Sequence, residues 1–143
     1  MHWRLFWLKL LPETEQIADD REYSLASSAM QAVINLRCTN SISREDAVFV
    51  ILHMLNTSVK QALPDYTIVW AFCALDLKID EDLLVLDLID LLIRRGLIEV
   101  VLSRDPTLLP TLRWLALTER GKGIADNIKD IKLETPEGEL ITF

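Results

Sequence analysis

The stretch Leu91-Leu-Ile-Arg-Arg-Gly-Leu-Ile-Glu99 decides the fold, because it marks where a helix ends and a strand begins. A leucine-rich helix is predicted from Asp80 to Arg95, and Gly96 ends it. Acidic residues at the start of this helix and basic residues at its end both suit the helix dipole. The sequence that follows predicts a strand over residues 97–103, a loop over 104–110 and a second strand over 111–118.

Helices are also predicted upstream of this stretch. Residues Ser24 to Arg37 form one continuous apolar face at helical spacing, made by Leu25, Ala29, Val33 and Leu36. Turn-forming residues from Cys38 to Ser43 then end this helix. Ser43 is placed to cap a second helix, from Arg44 to Asn56. The length and the Ala and Leu content of the segment Asp65 to Leu75 favour a helix, although its β-branched start leaves a strand open. The second helix of the motif is either this segment or a shorter piece near Lys78.

A second motif, Leu115-Ala-Leu-Thr-Glu-Arg-Gly-Lys-Gly-Ile-Ala125, follows the second predicted strand. Thr118 is expected to cap a final helix, while Gly121 and Gly123 allow another part of the chain to approach closely. Residues 134–139 predict a polar turn near the end of the chain.

Together these two motifs resemble the winged-helix domain of the MarR and PadR type of bacterial regulators, over roughly residues 44–131. The resemblance implies a mainly α fold, with a winged-helix core, a two-stranded β-wing and additional N-terminal helices. In it the helix Asp80 to Arg95 takes the recognition-helix position and Arg104 to Pro110 the wing tip. The helix Ser24 to Arg37 and the final helix would supply dimerisation surface.

The length of 143 residues fits one domain with an appended arm. We divide the chain into an aromatic arm and acidic linker over 1–22, a winged-helix-like domain over 23–131 and a tail over 132–143. Half of the residues are apolar, which excludes wholesale disorder. The net charge of -7 excludes a strongly basic coat for nucleic acid, but not a local basic patch.

The residue types present give little support for a metal site, a cofactor site or a catalytic site. The two histidines cannot build a histidine-rich metal site, and Cys38 and Cys73 lack CxxC spacing, so no metal and no cofactor are expected. The cysteines are read as buried free thiols in preference to a disulfide. Gly121-Lys-Gly123 lacks a phosphate-loop pattern, and no nucleophile, base and oxyanion set can be assembled, so the chain is not expected to be an enzyme.

Neither a membrane span nor a signal peptide is expected. The chain contains no run of 18 apolar residues, and the arm from Met1 to Leu11 is short and carries charges. We therefore expect a cytoplasmic protein whose arm packs on the domain or on a second subunit.

DNA binding is the secondary hypothesis, because the predicted recognition helix is acidic. It begins with acidic residues, and Asp87 and Asp90 follow on the same side. Carboxylates brought near a duplex oppose the release of counterions that supplies most nonspecific affinity. Against this, cations at one end of the domain are candidates for phosphate contacts: Arg94, Arg95, Arg104, Arg113, Arg120 and Lys122.

The leading hypothesis is a small regulatory or adaptor protein that works by association with itself or with another protein. The helix between Asp82 and Ile93 is apolar on nearly all sides, and one small core rarely surrounds such a helix. We expect the contact to be buried by Leu84, Leu88, Leu91 and the arm residues Trp3, Phe6 and Trp7. The stripe made by Asp87 and Asp90 would face solvent or a basic partner.

Overall fold

The computed structural model describes residues 31–101, 113–128 and 133–140. The predictions made for Trp3, Phe6, Trp7 and Arg104 lie outside these residues. The helix predicted from Ser24 is described over residues 31–37, where it is helical, and we name this segment α1.

The described chain combines helices with two small sheets. After α1 the elements are, in order, β1 Asn40–Ile42, α2 Arg44–Thr57, β2 Leu63–Pro64, α3 Asp65–Ala74, β3 Leu77–Ile79, a 3-10 turn Asp80–Asp82, α4 Val85–Arg94, β4 Ile98–Val101, β5 Trp114–Leu117 and α5 Glu119–Ala125. The helical prediction for the segment that begins at Asp65 is therefore confirmed.

Two predicted caps are confirmed. The Ser43 hydroxyl accepts a hydrogen bond from the backbone N–H of Asp46 at 3.1 Å, at the start of α2. The Thr118 hydroxyl accepts one from the N–H of Gly121 at 3.1 Å, at the start of α5. Each cap satisfies a backbone donor that the first helical turn leaves without an intrahelical partner.

The three-stranded antiparallel sheet has the order β2-β5-β4. Strands β4 and β5 pair from Ile98 opposite Leu117 to Val101 opposite Trp114, as the two predicted strands require. Strand β2 was not predicted, because Leu63–Pro64 is too short to show an alternating pattern. Pro64 is tolerated there because β2 is an edge strand, where a missing N–H donor need not break the sheet.

The second sheet pairs β1 with β3 in parallel, which the turn predicted over residues 38–43 did not anticipate. The Asp76 carboxylate holds the two segments together. It accepts hydrogen bonds from the Thr39 N–H at 2.9 Å, the Thr39 hydroxyl at 2.8 Å and the Asn40 amide at 3.0 Å. The pairing of this three-residue strand depends on a side chain 36 residues away, so the local sequence does not predict it.

Helix α4 begins later than predicted. Residues Asp80–Asp82 form a 3-10 turn in which Glu81 (φ 66°) and Asp82 (φ 54°) take left-handed backbone conformations. Leu84 is then extended, and the α-helix starts at Val85. The prediction of one continuous helix from Asp80 was wrong because acids that suit a helix N-terminus also suit the turn that precedes it.

The core is formed mainly by α2, α3 and α4 with the inner side of the larger sheet. Gly96 has a φ of +72°, which permits the predicted reversal between α4 and β4. A Cβ atom at Gly121 would collide with the carbonyl oxygen of Leu97, so the predicted close approach is confirmed there. It was wrong for Gly123, around which a Cβ atom would meet open space.

Candidate functional site

The apolar side of α4 is buried inside this chain. Leu88 is completely buried and Leu91 is 3% exposed, in the core that α4 shares with α3 and β4, while Leu84 is half-buried just before the helix. The expectation that Leu88 and Leu91 bury a contact with another subunit is therefore corrected. A single core does surround the apolar side of this helix, because the helix turns only a narrow polar side outward.

That polar side is not a simple solvated acidic stripe. Asp90 accepts a hydrogen bond from Nη1 of Arg113 at 2.7 Å, and Nε of Arg113 donates to Asp65 at 3.2 Å. The Arg113 and Asp90 side chains are only 16% and 13% exposed. Asp87 is half-buried. The sequence predicted that the stripe of Asp87 and Asp90 faces solvent or a basic partner and that Arg113 is a candidate for phosphate contacts. In the structure Asp90 is instead paired with Arg113 of the same chain.

Asp65 completes this group, which we name the Asp65–Arg113–Asp90 cluster. It is the first residue of α3, it is buried, and its backbone N–H donates to the Arg113 carbonyl at 2.9 Å. Burial raises the pKa of the Asp65 carboxyl, while the Arg113 guanidinium acts in the opposite direction. Sequence reasoning missed Asp65, since an acid at a helix start is usually exposed.

The cluster ties three elements together: the start of α3, the exposed side of α4 and the residue before β5. An ion pair this buried is expensive to break, because removal of one partner leaves the other charge without water or compensation. The hydrogen bonds of the cluster join charged side chains from three elements, which is the arrangement of a structural ion pair.

The remaining cations divide into two places. Arg94 and Arg120 are exposed and Arg95 is half-buried, and Nη1 of Arg120 donates to the Arg95 carbonyl at 3.4 Å. Lys122 is turned instead towards α2, and its Nζ lies 3.3 Å from Oδ1 of Asn56 in that helix. The same Nζ is 3.8 Å from the carboxylate of Asp126, which directly follows α5. The structure thus brings Arg95 and Arg120 together, whereas the guanidinium of Arg113 is bound by Asp65 and Asp90.

Helix α1 has two unlike faces. The buried face carries Gln31 and Ile34, at 1% and 4% exposure, and Cys38 directly after the helix is 8% exposed. On the opposite face, Val33 is 47% exposed and Leu36 is 87% exposed. These two residues belong to the apolar face predicted from the sequence, so in the described part of the helix that face is turned away from the core.

Helix α3 also presents apolar side chains to solvent. Tyr66 and Trp70 are one turn apart and are 46% and 57% exposed. This ten-residue helix contains no Lys, Arg or Glu, and its single acid, Asp65, is buried. The sequence did not reveal this aromatic face, because the opposite face of α3 is equally apolar and the helix therefore shows no periodicity.

Within residues 31–101, 113–128 and 133–140, no group of His, Cys, Asp or Glu side chains is arranged to hold a metal ion. Over the same part of the chain, no helix combines the length and apolar character needed to cross a bilayer.

No protein family, curated protein or solved structure matches the chain. The resemblance to regulators of the MarR and PadR type therefore rests on the motifs of this sequence.

Proposed function

We propose that this chain is a winged-helix protein that acts by association, with a second copy of itself as its first partner. The order α2, α3, α4, β4, β5, α5 supports the winged-helix part of the proposal. The antiparallel pairing of β4 with β5, after a helix that ends at a left-handed glycine, supports it as well. We propose no catalytic role.

The outer face of α1 carries the proposal. Val33 and Leu36 are large apolar side chains on the side of the helix that the core leaves uncovered. The sequence continues this face through Leu25 and Ala29, at the same helical spacing. A continuous apolar stripe opposite a buried one is typical of a helix that packs on the domain with one side and on a partner with the other.

Helix α3 provides a second apolar surface. Tyr and Trp are enriched at the centres of protein interfaces, because they bury a large area at a small cost in side-chain entropy. Tyr66 and Trp70 supply both residue types on a helix whose exposed side has no charge to desolvate.

Charges on α4 favour protein over DNA as the partner. Asp87 lies on the side of α4 that a recognition helix would turn to a duplex, and on the same side Arg113 is already bound by Asp90 and Asp65. Each carboxylate near a phosphate backbone opposes the electrostatic gain on which nonspecific DNA affinity depends.

Sedimentation equilibrium of the full chain tests the proposal. The parent is expected to dimerise, and Val33→Asp with Leu36→Asp is expected to weaken the dimer by at least about tenfold, because each substitution would bury a polar group without a partner in the contact, at a cost of at least about 1 kcal/mol. Val59→Asp is the matched control, since Val59 is 92% exposed and lies outside the helices. A parent that stays monomeric, or an equal effect of the control, contradicts the proposal.

Exposed cations favour a second candidate, a dimeric DNA-binding regulator. Arg94 and Arg120 are exposed beside Arg95, at the end of the helix in the recognition position. Fluorescence anisotropy with random-sequence duplex at about 50 mM and 200 mM salt tests this candidate, because several phosphate contacts lose orders of magnitude in affinity over that range. Binding that collapses at the higher salt, and that Arg94→Ala with Arg120→Ala abolishes, would support the regulator. Absence of binding at the lower salt would count against it.

A further inference from the structure

Cys38 and Cys73 lie at the ends of α1 and α3, where the Cys38 side chain contacts the backbone of α3. Cys38 directly follows α1, its N–H donates to the Ile34 carbonyl at 2.9 Å, and its side chain is buried. Cys73 lies in the last turn of α3 and is half-buried. Sγ of Cys38 is 4.0 Å from the Phe72 carbonyl oxygen, which belongs to the peptide group that joins Phe72 to Cys73. One thiol therefore lies against the backbone that carries the other.

The surroundings make the two thiols unequal. Burial raises the pKa of the Cys38 thiol, and the negative charges of a Cys73 thiolate and of Asp76 raise it further. The raised pKa favours the protonated form of Cys38, and a protonated, buried thiol reacts slowly with an oxidant. Cys73 is more accessible to solvent, so it is the thiol that a small oxidant reaches first.

We propose that Cys38 and Cys73 form an oxidation site at which a peroxide produces an intrachain disulfide. The Cys73 sulfur attacks the peroxide O–O bond, which gives a sulfenic acid on Cys73 and releases water or an alcohol. The Cys38 sulfur then attacks the Cys73 sulfur, the S–S bond forms, and the hydroxyl leaves as water with the proton of Cys38. The two thiols lose two electrons in total, and one peroxide is reduced.

The disulfide would bind the end of α1 covalently to the last turn of α3. Its effect on self-association rests on the proposed function, because α1 carries the face on which that function depends. Disulfides in reducing compartments are usually transient and redox-sensing, which is the behaviour expected of a bond that forms only after an oxidant arrives.

The test uses the full chain, reduced and freed of reductant, then treated with hydrogen peroxide and mapped as peptides without reduction. The expected product is a peptide pair that joins Cys38 to Cys73, a loss of both titratable thiols, and a monomeric band on a non-reducing gel. Thiol reductant should restore both thiols. Cys38→Ser should abolish the cross-link and leave the oxidised Cys73 to accumulate as sulfenic or sulfinic acid.

Other products overturn the proposal: oxidised Cys73 beside a Cys38 that still reacts with an alkylating agent, or a disulfide between two chains. The variant Val33→Asp with Leu36→Asp separates this result from the proposed function. A cross-link that forms equally in that variant supports the oxidation site whether or not the chain dimerises. Parent dimers without any cross-link would support the association alone and refute the oxidation site.

Discussion

Arg113 donates a hydrogen bond to Asp90 across 2.7 Å, so the residue before β5 neutralises a charge on the polar side of α4. The pair connects the segment that leads into the sheet with the helix in the recognition position. With Asp65 as the second acceptor, the guanidinium also connects both residues to the start of α3.

Arg113→Ala is expected to destabilise the chain by about 3–5 kcal/mol, because it leaves two largely buried carboxylates without their cation. Urea unfolding followed by circular dichroism measures this change. Lys122→Ala is the control, since the exposed pair of Lys122 with Asp126 contributes at most about 1 kcal/mol. Equal losses in the two variants would show that the cluster adds nothing beyond a surface ion pair.

Gly121 and Gly123 form a matched pair within α5. Gly121→Ala is expected to cost over about 1 kcal/mol, since the new methyl group would overlap the Leu97 carbonyl oxygen. Gly123→Ala should stabilise the helix by roughly 0.5–1 kcal/mol, because the space is open and alanine loses less backbone entropy than glycine. Thermal unfolding measures whether each substitution raises or lowers the stability of the chain. A loss of stability in both variants would refute the distinction between the two glycines.

Leu88→Ala should reduce the stability of the monomer by about 2–5 kcal/mol, because Leu88 is completely buried in the core. Leu36→Ala should leave monomer stability nearly unchanged and weaken self-association, since Leu36 is 87% exposed. Unfolding and sedimentation, measured on both variants, separate the two effects. A Leu88 variant that unfolds like the parent yet fails to dimerise would place that residue at an interface after all.

The stability of the chain should fall as the pH decreases from about 7.5 to 5.5, in part because of His53. Burial lowers the pKa of His53, so the folded chain binds this proton less readily than the unfolded chain does. For a pKa lowered on folding, the stability is present above the unfolded value and is lost as the pH falls through the folded value. His53→Gln should flatten the profile of unfolding free energy over this range. An unchanged slope would assign the pH dependence to other groups.

Local features of the sequence predicted local structure well. Ser43 and Thr118 are caps whose partners lie three residues away, and Gly96 needs only its own backbone conformation, so neighbouring residues carry the whole signal. The strands that pair as β4 and β5 are close in sequence and show ordinary strand composition.

Features that depend on distant residues were missed. The pairing of Arg113 with Asp65 joins positions 48 residues apart, and the pairing of β1 with β3 depends on a carboxylate far along the chain. Periodicity identified the apolar face of α1 through Val33 and Leu36, but not that the opposite face packs on the domain. A hydrophobic pattern predicts that a helix face will be buried. Which segment or partner buries it depends on the rest of the fold.

Thr118 has a mechanical consequence for the whole domain. Its hydroxyl donates to the Gly96 carbonyl at 2.5 Å, its N–H donates to the Leu97 carbonyl at 3.1 Å, and its hydroxyl oxygen caps α5. Since Gly121 also lies against Leu97, these contacts connect the first turn of α5 directly to the junction of α4 with β4. We therefore expect a force applied to α5 to be transmitted to the end of α4, where Arg94 is exposed.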